Sequence, residues 1–230
     1  MHFTHTDAVW RDYPELVAGV IVVDGIGTGA RVDAPVAHFT AVAESRLASG
    51  PESGLAEVQA WRSAFGRMGL KPTQYRCAAE ALLRRYRKEG SLPQIHPLID
   101  LCNAVSLAFA IPVAALDRAR IAGYAEVRYA TGTETYVTFA GETEHPEPGE
   151  VIYADAEDRA HARRWTNRQS GYSAVSDQTS EALIVAEALH DSAVEDVPRL
   201  IAALAGGLAA AWSTSPKTAF PTATSPRVVF

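Results

Sequence analysis

The stretch His96-Pro-Leu-Ile-Asp-Leu-Cys-Asn-Ala-Val-Ser-Leu-Ala-Phe-Ala110 carries the clearest structural signal in the chain. Pro97 suits the first position of a helix, where a backbone N–H would have no partner within the helix. Apolar residues then recur at the three- and four-residue spacing of one helical face. They are Leu98, Leu101, Cys102, Val105 and Phe109. The segment therefore predicts a two-faced helix that begins at Pro97.

A polar stripe runs along the same predicted helix. Asp100, Asn103 and Ser106 are spaced by three residues, so they lie together beside the apolar face. Such a stripe either lines a pocket or forms a solvent-facing edge, and the spacing alone leaves both interpretations open. His96, directly before the proline, is expected to cap the helix or to pack rather than to act as a general base.

The chain before this helix is predicted to form one strand and three helices. The run from Leu16 to Val23 has the length and β-branching of a buried strand. Apolar spacing predicts helices over residues 36–47 and 55–68, which are expected to cover a sheet, and a third helix is predicted over residues 74–89. Gly90 is the expected stop of the third helix, because glycine readily adopts a positive φ.

The chain after residue 112 is predicted to form mainly strands, because short runs rich in β-branched and aromatic residues recur there. The predicted strands are residues 125–130, 135–139, 151–154 and 182–186. A last helix is predicted from Pro198 to Trp212. Helices first and strands later favour an α+β fold, a mixed β-sheet packed with helices, over an alternating parallel fold. We expect a single domain over residues 1–212 and a loose C-terminal tail over 213–230.

Composition indicates a globular protein of a reducing compartment. Of the 230 residues, 47% are hydrophobic and 21% are charged. The two cysteines, Cys77 and Cys102, fit neither a disulfide framework nor a zinc-binding pattern. The first apolar run is too short for a signal core or a membrane span, so we expect a cytoplasmic protein without a membrane partner. The oligomeric state stays open.

The formal net charge of −6 argues against strong nucleic-acid binding without sequence preference. Such binding depends on lysine and arginine side chains that replace the counterions of phosphates. We therefore expect no DNA partner and only local contacts with RNA, through two basic clusters. One is Arg84, Arg85, Arg87 and Lys88, and the other is Arg159, His161, Arg163, Arg164 and Arg168. The first cluster can also be interpreted as a solvated helix end.

One motif points to a different class of protein. The turn Gly25-Ile-Gly-Thr-Gly-Ala30 follows a strand and formally matches a dinucleotide-binding turn, which would make the chain an oxidoreductase. The match is weak, because Pro35 favours an extended residue where a helix should already have begun. His2 and His5 could share a metal ion only if the N-terminus were ordered. We expect neither a cofactor nor a metal site.

The segment from Leu92 to Asp117, which contains the predicted helix, resembles the core stretch of the editing module of bacterial-type phenylalanyl-tRNA synthetase. That module is formed by the third and fourth domains of the synthetase beta subunit, and it also occurs as a freestanding protein. Gly149–Asp155, Arg164–Gln169 and Thr179 resemble the freestanding members in particular. The similarity extends over roughly residues 12–189, and the chain is identified as a freestanding B3/4 domain member.

The resemblance implies the α+β editing fold and a pocket for an aminoacyl group carried by tRNA. In the synthetase this pocket hydrolyses tyrosine wrongly attached to phenylalanine tRNA. The pocket asparagine of the family falls on Asn103, whereas its editing histidine falls on Ala114, so that side chain is missing here. The glutamate that recognises the tyrosine hydroxyl falls on Glu187 or on an apolar neighbour. Tyrosine specificity is therefore not carried over.

The site can still act without the histidine, because an aminoacyl ester is already activated and hydrolysis needs mainly positioned water and a stabilised oxyanion. The catalytic candidates are Asn103, Arg168 and Gln169, and the substrate-binding candidates are Asp100, Ser106, Trp165 and Asn167. Arg168 can also be interpreted as a structural arginine, and Trp165 as a core residue. Two functions follow: a trans-acting editing hydrolase of mischarged tRNA, or a non-catalytic module that binds an amino acid or tRNA.

Overall fold

The computed structural model describes residues 1–230 and contains six α-helices and twelve strands. The helices are α1 (Asp7–Asp12), α2 (Asp33–Ala48), α3 (Ala56–Arg67), α4 (Ala78–Glu89), α5 (Pro97–Phe109) and α6 (Ala193–Trp212). Short 3₁₀ helices span Glu52–Gly54 and Arg118–Arg120. None of the helices combines the length and the apolar character that crossing a bilayer requires.

The strands form two main sheets and one separate hairpin. They are β1 (His2–His5), β2 (Val17–Asp24), β3 (Val113–Asp117), β4 (Tyr124–Tyr129), β5 (Tyr136–Val137), β6 (Thr143–Glu144), β7 (Val151–Ala154), β8 (Ala160–Arg163), β9 (Arg168–Gln169), β10 (Glu181–Ala188), β11 (Lys217–Ala219) and β12 (Arg227–Val229). The six-stranded sheet has the order β12-β1-β4-β7-β8-β9, the four-stranded sheet the order β11-β2-β10-β3, and β5 pairs with β6. Strands β1 and β4 are parallel, whereas the other pairs are antiparallel. The predicted α+β fold with a mixed sheet is confirmed.

The four-stranded sheet separates two apolar clusters. Neighbouring residues of a strand point to opposite faces, and Ile184 and Val185 of β10 accordingly belong to different clusters. Ile184 packs on the face covered by α5 and α6, whereas Val185 faces α3 and the six-stranded sheet. The central strands are buried on both faces, which explains their continuous apolar sequences.

Helix α5 is the predicted two-faced helix, and it begins at Pro97 as predicted. His96 is its N-cap, and His96 Nδ1 accepts a hydrogen bond from the backbone N–H of Leu98 at 3.1 Å. The predicted end of α4 is also confirmed, since Gly90 has a φ of 72° directly after the helix. These features are local, so spacing and capping chemistry suffice to predict them.

Two predicted helix starts are wrong. Helix α4 begins at Ala78 instead of residue 74, because Cys77 caps it and its Sγ accepts from the backbone N–H of Glu80 at 3.5 Å. Helix α6 begins at Ala193, so Pro198 lies inside it. The first turn of α6 is held by Asp196, which accepts from the Ser192 hydroxyl at 2.6 Å and lies near the positive end of the helix dipole.

The prediction of a loose tail over residues 213–230 is also wrong. Strand β11 pairs with β2, and β12 pairs with β1, both in antiparallel orientation. Each thereby covers the edge of a main sheet, whose unpaired backbone groups favour an added strand. Both are three-residue strands, too short for an alternating pattern to be recognised in the sequence.

The glycine turn after β2 lies in the wrong context for a dinucleotide. Both neighbours of β2 are antiparallel to it, whereas a dinucleotide-binding turn joins a parallel strand to the helix that follows. Helix α2 starts only at Asp33, three residues after the motif ends at Ala30. The structural basis for the oxidoreductase alternative is therefore lost.

Candidate functional site

A small pocket of about 60 Å³ lies between β3, β10 and the segment that leads into β9. Four of the seven predicted site residues line it, namely Trp165, Asn167, Arg168 and Gln169. The pocket also includes Ala114, the position of the family's editing histidine, and Glu187. The structure thus unites one part of the predicted site with the two positions that the resemblance singled out.

The register of β3 and β10 decides which side chains face this pocket. Ala114 lies directly opposite Val185. Residues opposite each other share a face, and so does every second residue along a strand. Glu187, two residues after Val185, is therefore on the pocket face. Of Glu187 and its apolar neighbours Ala186 and Ala188, only Glu187 lines the pocket.

Glu187 lies at the base of the pocket and is 1% exposed. Its Oε1 accepts from His5 Nε2 at 2.6 Å and from Trp165 Nε1 at 3.0 Å, and its Oε2 accepts from the Tyr153 hydroxyl. Burial and the nearby Glu187 carboxylate raise the pKa of Tyr153 well above its ordinary value, so the hydroxyl stays protonated as a donor. The carboxylate thus joins β1, β7, β10 and the segment before β9 at one point.

A strained turn inserts the Trp165 indole into the core. Arg164 and Trp165 have φ values of 49° and 57°, in the left-handed region that non-glycine residues rarely occupy. The N–H of Trp165 donates to the Val151 carbonyl at 2.7 Å, which fixes this conformation. Trp165 is fully buried, as expected of a core residue, and it also lines the pocket.

Asn167, Arg168 and Gln169, which follow this turn after Thr166, differ in how free their side chains are. Asn167 Nδ2 donates to the Arg76 carbonyl at 2.8 Å, and Gln169 Nε2 donates to the Ala115 carbonyl at 2.8 Å. Both side chains therefore also hold the backbone around the pocket. Arg168 is 40% exposed and pairs with Glu144 at 3.2 Å, so its guanidinium is the accessible cation of the pocket.

The other predicted residues lie on the opposite side of the four-stranded sheet. Asp100 and Asn103 line a larger groove of about 510 Å³ between α2, α4, α5 and the connector over residues 90–97. Asp100 Oδ1 accepts from the backbone N–H of Ile95 at 2.9 Å, which holds that connector. The groove lining contains no lysine or arginine, so it does not favour RNA phosphates.

The prediction that Asn103, Ser106 and Arg168 form one site is wrong. Ser106 lines neither cavity, because it is 1% exposed and its hydroxyl donates to the Ile111 carbonyl at 2.7 Å. The stripe along α5 therefore divides into two groove residues and one buried structural residue. Helix α5 packs on one face of the four-stranded sheet, whereas the small pocket lies on the other face.

The three arginines of the first basic cluster form ion pairs with two acidic side chains. Arg84 and Arg87 contact Glu52 at 3.1 and 3.4 Å, and Arg85 contacts Glu89 at 2.9 Å. These pairs bridge the end of α4 to the 3₁₀ turn at Glu52–Gly54 and stabilise the helix end. Four cations face two carboxylates here and Lys88 forms no ion pair, so this surface keeps a small excess of positive charge.

The second basic cluster is not a continuous patch either. Arg163 is buried between Glu144 and Glu150, at 2.6 and 2.9 Å, and His161 is fully buried. Arg164 forms no ion pair and stacks on Tyr75, with 4.7 Å from its guanidinium carbon to the ring centre. Arg168 is the one cation of this cluster that lines the small pocket.

The small pocket contains one aliphatic hydroxyl, that of Thr166, and no base activates it, because the buried oxygen has no hydrogen-bond partner. No histidine, cysteine or serine lines it. The two cysteines lie elsewhere, and burial raises the pKa of Cys77 and of Cys102 to about 12, which keeps both thiols protonated. Any hydrolysis in this pocket must use water that polar groups position.

Comparison with known proteins finds a matching family and solved structures of similar fold. The model of the B3/4 domain family matches residues 60–202. The fold is similar to an N-terminal fragment of the phenylalanyl-tRNA synthetase beta-subunit from Pyrococcus horikoshii, with a TM-score of 0.48 and 10% sequence identity. This similarity covers 93% of the present chain and 49% of that chain, so the protein spans about half of that structure. No curated protein matches the chain.

Proposed function

The chain belongs to the B3/4 domain family, and from this premise we propose that it is a trans-editing hydrolase of misacylated tRNA. The observation that carries the proposal is the small pocket, where Ala114, Glu187 and the segment Asn167–Gln169 meet. Buried side chains would enclose the acyl group there, and the guanidinium of Arg168 is accessible where the ester would lie. Tyr153 and Trp165, held by Glu187, are two of those buried side chains.

The reaction needs one water molecule and no covalent intermediate. Water attacks the carbonyl carbon of the ester, the bond from that carbon to the ribose oxygen breaks, and a proton from the water passes to the ribose oxygen. The products are a free amino acid and uncharged tRNA. Arg168 would stabilise the negative charge that develops on the carbonyl oxygen. The side-chain oxygen of Gln169, which accepts no hydrogen bond from the protein, would orient the water.

The test is release of labelled amino acid from a panel of correctly and incorrectly charged tRNAs, with a reaction lacking protein as the blank. We expect turnover of a mischarged species and a loss of about 100-fold in kcat for Arg168→Ala, the usual effect of removing an oxyanion donor. Arg85→Ala is the matched control, because Arg85 is a similarly exposed, ion-paired arginine on α4. Full activity of Arg168→Ala would contradict the assignment of the site.

One observation favours a second candidate, a non-catalytic module that binds aminoacyl-tRNA. The pocket has a methyl group at Ala114, where the family's editing site has a histidine, and none of its side chains is a free general base. This candidate predicts saturable binding of charged tRNA with no release of amino acid above the blank. Steady turnover of any charged tRNA would exclude it.

A further inference from the structure

Phe139 has the most exposed large apolar side chain in the protein, with 75% of its surface accessible. It lies in the loop between β5 and β6. Single exposed apolar residues are common on protein surfaces, so exposure by itself does not mark a site. The surroundings of Phe139 are what distinguish it.

The hairpin that carries Phe139 is rigid and fixed to the wall of the small pocket. The Thr138 hydroxyl accepts from the backbone N–H groups of Ala140 and Glu142, at 3.2 and 3.1 Å, which closes the loop. The N–H of Gly171 donates to the Val137 carbonyl at 2.8 Å, two residues after β9 ends. A Cβ at Gly171 would lie 2.7 Å from the Thr138 carbonyl oxygen, so only glycine permits this close approach.

A surface depression of about 510 Å³ joins the ring to the pocket. Phe139 lines one side of it, and Asn167, Arg168 and Gln169 line another. The same three residues line the small pocket. The depression and the pocket are therefore neighbours that share one wall.

The charges around the depression favour a neutral planar group over a phosphate. Glu142 and Glu144 line it together with a single cation, Arg168, which already pairs with Glu144. A phosphate would meet a surplus of negative charge there, whereas a nucleobase carries none. Nucleobases stack on aromatic rings and on guanidinium planes, and Phe139 and Arg168 offer one of each.

We infer that Phe139 stacks on the adenine of the 3′-terminal nucleotide of an aminoacyl-tRNA, while the acyl group lies in the small pocket. This inference rests on the proposed function, which supplies the acyl group in that pocket. In an aminoacyl-tRNA only the ribose separates the ester from the base. When the acyl group occupies the small pocket, the terminal adenine therefore lies beside that pocket, in the depression next to Phe139.

The test measures binding of two uncharged tRNAs, one complete and one lacking its terminal adenosine, by fluorescence anisotropy. Wild-type protein is expected to bind the complete tRNA about 5- to 150-fold more tightly, the range for stacking of one base. Phe139→Ala should bind both tRNAs equally, and Phe139→Trp should keep the preference. Phe220→Ala is the control, since Phe220 is also exposed but follows β11 on the far edge of the four-stranded sheet.

The inference would be overturned if Phe139→Ala kept the preference for the complete tRNA, or if wild-type protein showed no such preference. It would also be overturned if the substitution changed the oligomeric state, because the ring would then belong to a contact between copies of the protein. Failure of the proposed function has a different signature. In that case wild-type protein releases no amino acid above the blank from any member of the charged panel, whether or not it binds tRNA. Normal turnover without an adenosine preference would refute the stacking contact alone.

Discussion

Replacing Glu187 by alanine is expected to destabilise the protein strongly, because one buried carboxylate accepts three hydrogen bonds. The donors are His5 Nε2, Trp165 Nε1 and the Tyr153 hydroxyl, and all three residues are at most 1% exposed. Each buried donor left without a partner costs about 1–3 kcal/mol. These costs are not additive, so the total should be near the roughly 3–5 kcal/mol of a broken buried ion pair.

Thermal and urea unfolding would measure this effect. For a chain of this size, a loss of about 3–5 kcal/mol corresponds to a fall in Tm of roughly 6–20 °C. The matched control is Glu181→Ala, because Glu181 lies on the same strand but is partly exposed and pairs with Arg118 at the surface. That substitution should cost no more than about 1 kcal/mol.

A comparable loss of stability for both variants would refute this account of Glu187. Tyr153→Phe gives a second check, since it removes one donor and leaves the carboxylate with two. Its cost should therefore be smaller than that of Glu187→Ala. If Tyr153→Phe were the more damaging change, the carboxylate would not be the centre of the network.

Three further predictions follow from other parts of the structure. Gly19→Ala should cost about 1–3 kcal/mol in urea unfolding, because its Cβ would overlap Ile201 Cγ1, whereas the Cβ of Gly27→Ala meets no atom within 4 Å and the change should be neutral. Burial alone would raise the pKa of the Glu134 carboxyl, but hydrogen bonds from backbone N–H groups and an arginine lower it to about 2. The carboxylate therefore stabilises the folded protein above pH 4.5, and this contribution should be lost as the pH falls towards 2. Glu134→Gln should lose less stability than the wild-type protein over the same pH range. Ala114→His should raise kcat for ester hydrolysis at least about tenfold in single-turnover assays, as a general base does, and an unchanged kcat would count against the pocket.

The parts of the fold that the sequence predicted are those set by local chemistry. Helix α5 was predictable because Pro97 and His96 define its start and apolar residues follow the helical repeat. Strands β11 and β12 were not, because their partners β2 and β1 lie about two hundred positions earlier in the chain. Three residues carry too little pattern to reveal such pairing.

The candidate site was predicted only in part, for a similar reason. The segment Asn167–Gln169 does lie at a pocket, but the polar stripe on α5 does not join it. Spacing along a helix shows which residues share its face, yet not which face of a sheet that helix covers. Asn103 and Arg168 were grouped by resemblance, and the four-stranded sheet separates them.

The sequence alone indicated the α+β class, five of the six helices and five of the twelve strands, because periodicity and capping are properties of neighbouring residues, and its resemblance to known proteins indicated the B3/4 family. Only the tertiary structure decided that Glu187 faces the pocket and that His5, 182 positions away, is bound to it. A strand register shifted by one residue would turn Glu187 to the other face. Such a register depends on the packing of the whole sheet, which no local segment encodes.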